Sequence, residues 1–399
     1  MNAEPDRKVS SLYVHVPFCA QKCEYCAFFS ETANGELINR YVGALERELQ
    51  IIAPSLSPRT VFFGGGTPSL LNLRQWEKLL KTMDRLNLLG AAEWTVECNP
   101  ATVSLDKARL LRSYGVNRIS MGVQSLDETL LDRLGRVHSR EMVFKSFDTL
   151  RAAGFDNVNV DLMFAIPGQT MEIWRATLNE AIHLGSEHLS CYEVIYEEDT
   201  PLFHQLEAGE FSVDEELAAA MFDELVNRAT AAGFRQYEVA NFARDRRAAT
   251  TGNLANPAAT GEFPAFACRH NVNYWRGGDF HGAGPGATGY VAGERTKNWA
   301  NTQLYCERLE VGQRAIESRE TLPPLGRAGE TAAFGLRMNS GWPFAQFQAV
   351  TGFDLRAEWA AEIGELEACG FGTRSAERFQ LTPLGLRYAD FAAEKFLRV

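Results

Sequence analysis

The stretch SLYVHVPFCAQKCEYC, residues 11–26, decides how this chain is read. Its opening run, Ser11 to Val16, reads as a short strand, and Pro17 begins a loop that carries Cys19, Cys23 and Cys26 at C-x3-C-x2-C spacing. Thiols this close in sequence converge on one inorganic centre with little loop-closure cost. Three ligands leave one coordination position open. A structural zinc site normally closes with four Cys or His ligands, often as two spaced pairs, and no second C-x2-C or H-x3-H pair follows downstream. The spacing favours an iron-sulfur cluster, with a zinc-stabilised module and three unliganded thiols as the alternatives.

Outward from that loop the pattern is regular. Apolar residues recur at helical spacing from Glu36 to Ala53, and the strand Thr60 to Phe63 then runs into Gly64, Gly65 and Gly66. Backbone without side chains at that point lets main-chain groups approach a ligand. Further strands are expected at Glu93 to Cys98, Asn117 to Val123, Asn157 to Phe164 and His188 to Ile195. Helices are expected over 73–86, 105–114, 127–134, 141–153, 171–184 and 214–232. Alternating strands and amphipathic helices imply a parallel α/β sheet, either open and doubly wound or a full or partial barrel, with the site built by loops after the strand C-termini.

Four segments are expected: a polar tail over residues 1–10, a core over 11–243, an irregular stretch over 244–320, and a small helical, winged-helix-like domain over 321–399. Within the third segment, 244–265 has no apolar period and reads as a long loop. The run His281 to Gly289 is too irregular for a dinucleotide fingerprint and reads as a ligand-adjacent loop.

Composition narrows the class. The 399 residues carry 40 Lys+Arg against 51 Asp+Glu, a formal charge of −11, which argues against a nucleic-acid or anionic-membrane partner. No run of 18 apolar residues occurs, so no transmembrane segment is expected, and the first ten residues lack the apolar core of a secretory signal. A cytoplasmic location is expected. Eight cysteines in such a chain point to metal or redox chemistry at the one tight cluster, not to a disulfide framework.

A C-x3-C-x2-C loop after the first strand of a β/α chain resembles the radical S-adenosylmethionine (SAM) superfamily. The segments YVHVPFCAQKCEYC (13–26), GGGTPS (64–69), ECNP (97–100), NRISMGVQS (117–125), LGRVHS (134–139), DLMFAIPGQT (161–170) and YEVANFA (237–243) together resemble the oxygen-independent coproporphyrinogen III oxidase family and its HemW-type haem chaperone branch. The resemblance implies a partial (β/α)6 TIM-like barrel. It also implies a 4Fe-4S cluster on Cys19, Cys23 and Cys26, with SAM chelating the open iron. In such proteins an electron from the reduced cluster cleaves SAM to methionine and a 5′-deoxyadenosyl radical. The positions matching the family's SAM contacts are Tyr13, Tyr25, Gly65, Gly66, Thr67, Glu97, Gln124, Arg136 and Asp161. The residue types suit that role: an aromatic ring for adenine, carboxylates for ammonium or ribose hydroxyls, a guanidinium for the SAM carboxylate.

Two departures point away from porphyrinogen decarboxylation: Phe28 stands where decarboxylases carry a further cysteine, and only ten residues precede the first strand. The segment Cys268 to Trp275 instead carries the H-N-x-x-Y-W pattern of the chaperone branch, whose histidine, here His270, is implicated in holding haem. The resemblance therefore implies a protein that binds haem and delivers it to an acceptor protein, with a reductase or flavodoxin-type electron donor as a further partner. Coproporphyrinogen oxidation and radical methyl transfer are the enzymatic alternatives.

Overall fold

The computed structural model describes residues 8–32, 34–245 and 262–398. The first strand, β1 (Val9–Val16), leads through the cysteine loop into α1 (Gly35–Ile52), whose first turn is closed by the Asn34 side chain accepting from the amides of Glu36 and Leu37. Then follow β2 (Leu56–Gly65), α2 (Leu73–Arg85), β3 (Glu93–Cys98), α3 (Leu105–Ser113), β4 (Arg118–Gln124), α4 (Arg140–Ala152), β5 (Val158–Phe164), α5 (Met171–His183), β6 (His188–Glu193) and α6 (Glu215–Ala231). Six parallel strands, each with a helix before the next, match the expected alternation.

The chain then turns back. β7 (Arg235–Gln236) and β8 (Asn241–Ala243) join the far edge antiparallel, α7 (Arg269–Trp275) crosses beneath, and β9 (His281–Ala283) pairs in parallel with β1. The sheet order is β9-β1-β2-β3-β4-β5-β6-β8-β7. In a flat sheet β2 and β7 would lie about 29 Å apart. Yet the N-terminal half of α7 touches both sides: His270 bonds Thr60 of β2, and the Cys268 amide donates to Tyr237, which follows β7. A helix of seven residues is only about 10 Å long, so the sheet must curl around it into a partial barrel.

Strand alternation sorts the side chains by face. Val14, Val61, Phe63, Trp94, Val96, Ile119, Met121, Val158 and Val160 point outward into one buried layer with Leu45, Leu49, Trp76, Leu79, Phe147, Leu150, Trp174 and Leu178 of the helices. The alternate positions, including Tyr13, His15, Thr60, Glu93, Thr95, Glu97, Arg118, Ser120, Asn159, Asp161 and His188, face the barrel interior. The main core thus lies outside the barrel, and the interior is polar.

Some elements depart from the sequence expectation. The helix Pro201–Glu207 was not foreseen, and β7 and β8 flank a turn held by the buried Glu238 carboxylate accepting from the Ala240 amide. A three-stranded sheet forms from Thr288–Val291, Glu294–Asn298 and Ile316–Thr321, with a helix over Thr302–Glu310. Its second and third strands are rich in charge, and across all three only Gly289 and Asn298 are buried, which erases the apolar alternation that marks a strand. Most of the loop expected over 244–265 lies outside the described residues.

The C-terminal part has its own core of Trp342, Phe347, Trp359, Ile363, Phe379 and Phe396, built from short helices and a three-stranded sheet of Trp342–Pro343, Arg378–Leu381 and Gly372–Arg374. It is clamped to the barrel by Arg276, just after α7, whose guanidinium donates to the Gly341 carbonyl (2.7 Å), the Ser340 hydroxyl (2.8 Å) and Glu262 (2.6 Å).

Candidate functional site

Loops at the C-terminal ends of the parallel strands enclose a cavity of about 480 Å³. Cys19, Cys23 and Cys26 line it together. Their loop is fixed at both ends: Phe18–Cys19 pairs in parallel with Glu31–Thr32, and the Glu24 amide donates to the Leu134 carbonyl (3.1 Å) while its own carbonyl accepts from the Leu202 amide (2.9 Å). Burial raises the thiols of Cys19 and Cys26 above their ordinary range, a cost that a cationic metal centre reverses by deprotonating them. Two groups aim at the sulfurs: the Thr67 hydroxyl at Cys19 (3.7 Å) and the Arg136 guanidinium at Cys23 (3.4 Å). The same guanidinium donates to the Gly122 carbonyl (2.6 Å), which sets its direction.

The glycine run forms the opposite wall. Gly65 has φ +103° and abuts the His15 ring, and a Cβ on Gly66 would sit 2.7 Å from the Phe18 carbonyl, so a side chain at the first position displaces His15 and at the second the start of the cysteine loop. The Gly66 and Thr67 amides are tied to the carbonyls of Val16 (2.8 Å) and Phe18 (2.7 Å). Gln124 carries φ +66° where the pairing of β4 with β5 shifts register, a strained backbone held at the cavity.

Two acids face inward from β3 and β5. Removal from water pushes the Glu97 carboxyl up to about 8, helped by the charge of Asp161 and opposed by the Gly65 amide, which donates to it at 3.1 Å. Burial also raises Asp161, against donors from Asn159 (2.7 Å) and Ser120 (3.2 Å). Tyr25 packs on the apolar group of Leu130, Leu134, Met163 and Ile166 and presents its ring to the cavity.

Of the residues singled out in the sequence, Cys19, Cys23, Cys26, Tyr25, Gly65, Gly66, Thr67, Glu97, Gln124, Arg136 and Asp161 all line this one cavity; Tyr13 and His270 do not. Tyr13 sits deeper in the barrel, its hydroxyl 3.0 Å from Nδ1 of His15. His270 lies at the other end, beside the N-terminal half of β2, 1% exposed. Its Nδ1–H donates to the Thr60 hydroxyl (2.9 Å), which itself donates to Ser11, and its Nε2 accepts from the Tyr274 hydroxyl (2.7 Å). Burial, with the charge of Arg118, lowers this imidazole to about 3, so it is neutral. The run His281 to Gly289 packs against the underside of the cysteine loop, Gly286 beneath Phe29 and Gly284 beside His15, and does not line the cavity.

Sequence reading missed Ser120, Met163, Tyr192 and Ile195, which also line the cavity. Ser120 and Tyr192 share the inward register of Asp161 and Ser190, a signal available once the strands are aligned.

The residues fit a cluster and SAM. Among the described residues no three His, Cys, Asp or Glu side chains gather closely enough for a single metal ion. A tetrahedral zinc would need sulfurs about 3.8 Å apart. Thiols spread over one cavity wall suit the separate corners of a larger cluster. Among the described residues the two carboxyls raised by burial have no cationic side chain bonded to them, which suits a ligand that brings N–H donors and a sulfonium.

The sequence matches the Radical SAM superfamily over residues 13–181 and the HemN C-terminal domain over residues 322–388. The protein called heme chaperone HemW from Lactococcus lactis is 32% identical over 393 residues, covering 98% of both chains. HemW of Escherichia coli is 33% identical over 392 residues, 97% of this chain and 98% of that one. Among solved structures, coproporphyrinogen III oxidase (HemN) from Escherichia coli superposes with TM-score 0.80 at 21% identity, covering 98% of this chain and 91% of that one. At that identity the likeness concerns the fold.

Proposed function

The chain belongs to the haem chaperone HemW family within the radical SAM superfamily, and from that premise we propose that it binds haem through α7 and delivers it to an acceptor protein, with a 4Fe-4S cluster and SAM held in the cavity above. Cys19, Cys23 and Cys26 would hold the cluster. Arg136 would meet the SAM carboxylate, Glu97 its amino group and Asp161 its ribose hydroxyls, while Tyr25 would flank the adenine. When bound, the reduced cluster would supply an electron to the SAM sulfonium.

The observation that carries the haem reading is the state of His270. A haem-ligating imidazole needs a free Nε2 lone pair and an Nδ1–H held by an acceptor. His270 is neutral, its Nδ1–H is anchored on Thr60, and its Nε2 lone pair is occupied only by the Tyr274 hydroxyl. Ligation requires one hydroxyl to swing aside and α7 to open toward haem. Phe62, with its ring centroid 5.3 Å from that of His270, and Tyr274 supply flat faces for a porphyrin.

The test is an anaerobic haem titration of cluster-loaded wild type and His270→Ala. Wild type is expected to shift the Soret band of free haem saturably, with the shift lost or weakened in His270→Ala. An unchanged Soret band in wild type overturns the carrier reading, and an unchanged titration in His270→Ala removes the histidine from it. Electron donor and acceptor belong to the same proposal: a reductase or flavodoxin-type protein for the cluster, and a haem-requiring protein for delivery.

A further inference from the structure

The two ends of the barrel are joined by a file of side chains that branches at Asn159, whose amide also donates to Ser120 (2.7 Å) and whose carbonyl oxygen also accepts from Ser190 (3.1 Å). Asp161, on the cavity wall, accepts at Oδ1 from the Asn159 amide (2.7 Å). A carboxylate only accepts, so this contact fixes which end of the Asn159 side chain is the donor. The Asn159 carbonyl oxygen therefore accepts from Nδ1–H of His188 (2.6 Å), and Nε2 of His188 accepts from the Tyr237 hydroxyl (2.8 Å). The Tyr237 oxygen in turn accepts from the backbone amide of Cys268 (3.1 Å), the residue that opens α7. His188 is fully buried and burial lowers its pKa, so it stays neutral and holds one tautomer. Every donor points the same way, from α7 toward the Asp161 carboxylate.

Chains of aligned hydrogen bonds polarise one another, most of all when the last acceptor is ionised. A second group steadies that charge: Arg118, 2% exposed, donates to the Thr95 hydroxyl (3.4 Å) and lies in the field of Asp161, Glu93 and Tyr237. Its Nε has no hydrogen-bond partner among the described residues.

We infer that this file couples the two sites: a ligand that donates to Asp161 in the cavity weakens each bond down the line and loosens the N-terminus of α7, with Asn159, His188 and Tyr237 as positioning residues. The inference deepens the reading above and rests on it, because α7 carries His270. It gives YEVANFA a role through Tyr237, and it supplies a trigger for uncovering a histidine that is otherwise sealed.

The coupling is read by hydrogen exchange at the amides of Cys268 and the first turn of α7, in protein carrying the oxidised cluster, with and without SAM. No electron is supplied, so SAM stays intact. SAM binding itself is followed by the change it makes in the cluster's absorption spectrum. In wild type SAM is expected to speed exchange at Cys268 by about fivefold or more, the lower end of typical site-to-site coupling. Tyr237→Phe keeps the ring and removes the hydroxyl; it should still bind SAM and lose the acceleration. His188→Gln is the second variant, with the same expected loss. SAM that binds wild type without speeding exchange, or speeds it equally in both variants, overturns the coupling. Failure of SAM to bind wild type at all overturns the cavity assignment instead, and the coupling with it.

Discussion

Glu97 makes SAM affinity a titration. Without SAM its carboxyl sits at about 8, raised by burial and by Asp161. Bound SAM, a sulfonium cation whose amino group donates to Glu97, returns it toward the ordinary carboxylate value of about 4.5, because an adjacent cation and a donated hydrogen bond favour the charged form. The sign follows: between those two values SAM must drive a proton off Glu97, so affinity falls as pH falls. At pH 8.5 about three quarters of the free protein has Glu97 ionised, against about 3% at pH 6.5, a ratio of about 25 in affinity or about 2 kcal/mol. Glu97→Gln removes the titration and one charge-assisted bond worth about 1.5–3 kcal/mol. The variant should bind about 10- to 100-fold more weakly than wild type at pH 8.5 and nearly as well at pH 6.5. The assay is calorimetric titration of SAM into oxidised, cluster-loaded protein, in two buffers of different ionisation enthalpy so that proton release is counted. Wild-type affinity that is flat across this range, or a Glu97→Gln variant that keeps the slope, refutes the assignment of Glu97 to the SAM amino group.

Three further outcomes are expected. Replacing any one of Cys19, Cys23 or Cys26 with Ala should abolish the brown chromophore and bound sulfide after anoxic reconstitution while thermal unfolding of the metal-free protein is nearly unchanged, since these thiols are not in the core. Trp94→Ala empties a fully buried site against Phe63 in the outer layer and should cost about 3–5 kcal/mol by urea unfolding. Tyr274→Phe removes the hydroxyl that occupies Nε2 of His270, worth about 1 kcal/mol, and stopped-flow haem mixing should show association faster by about fivefold.

Most of the parallel barrel was legible because each of its strands carries an apolar register at period 2 and each helix an apolar stripe, and the cavity-lining residues cluster at strand ends where that topology puts a site. The Cys loop, Gly65, Gly66, Glu97 and Asp161 lie at or just beyond the C-terminal parts of strands, in short motifs that carry the family resemblance, whereas Arg136 follows the short helix Glu128–Arg133 and was marked by the resemblance alone. The strands over 288–321 were not, because ERTKN and IESRET bury only Asn298 and carry no apolar alternation. Nor did the sequence separate Tyr13 from the cavity residues, or show how deeply His270 is buried. Tyr13 shares its strand's inward register with His15 but lies one layer lower, and depth along a barrel axis leaves no mark on periodicity. The burial of His270 depends on Thr60 and Glu93, distant in sequence and joined to it only by the curl of the sheet.

That curl also explains how a polar interior is compatible with a stable fold. The large buried aromatics Trp76, Trp94, Trp174 and Phe63 all pack between sheet and helices, so the apolar burial that holds the barrel does not depend on what fills its lumen. The lumen can therefore keep groups whose burial is costly. Glu93 is one: its carboxylate accepts from the amides of Arg269 and His270 (2.9 Å each), closing the first turn of α7 and so fixing where the Thr60–His270 bond forms. Removing that carboxylate would leave two buried amides unpaired and Arg118 with less compensating charge, each a loss of about 1–3 kcal/mol. The helix that carries His270 is thus held by polar contacts to the barrel wall and by the Arg276 clamp to the C-terminal domain, while its Val272 and Trp275 pack on a small apolar group of Tyr237, Ala243, Ala267 and Met338 that is separate from the main core. Polar contacts exchange partners at small net cost where apolar packing cannot, and a helix seated this way is suited to open and reseat while the outer layer stays folded.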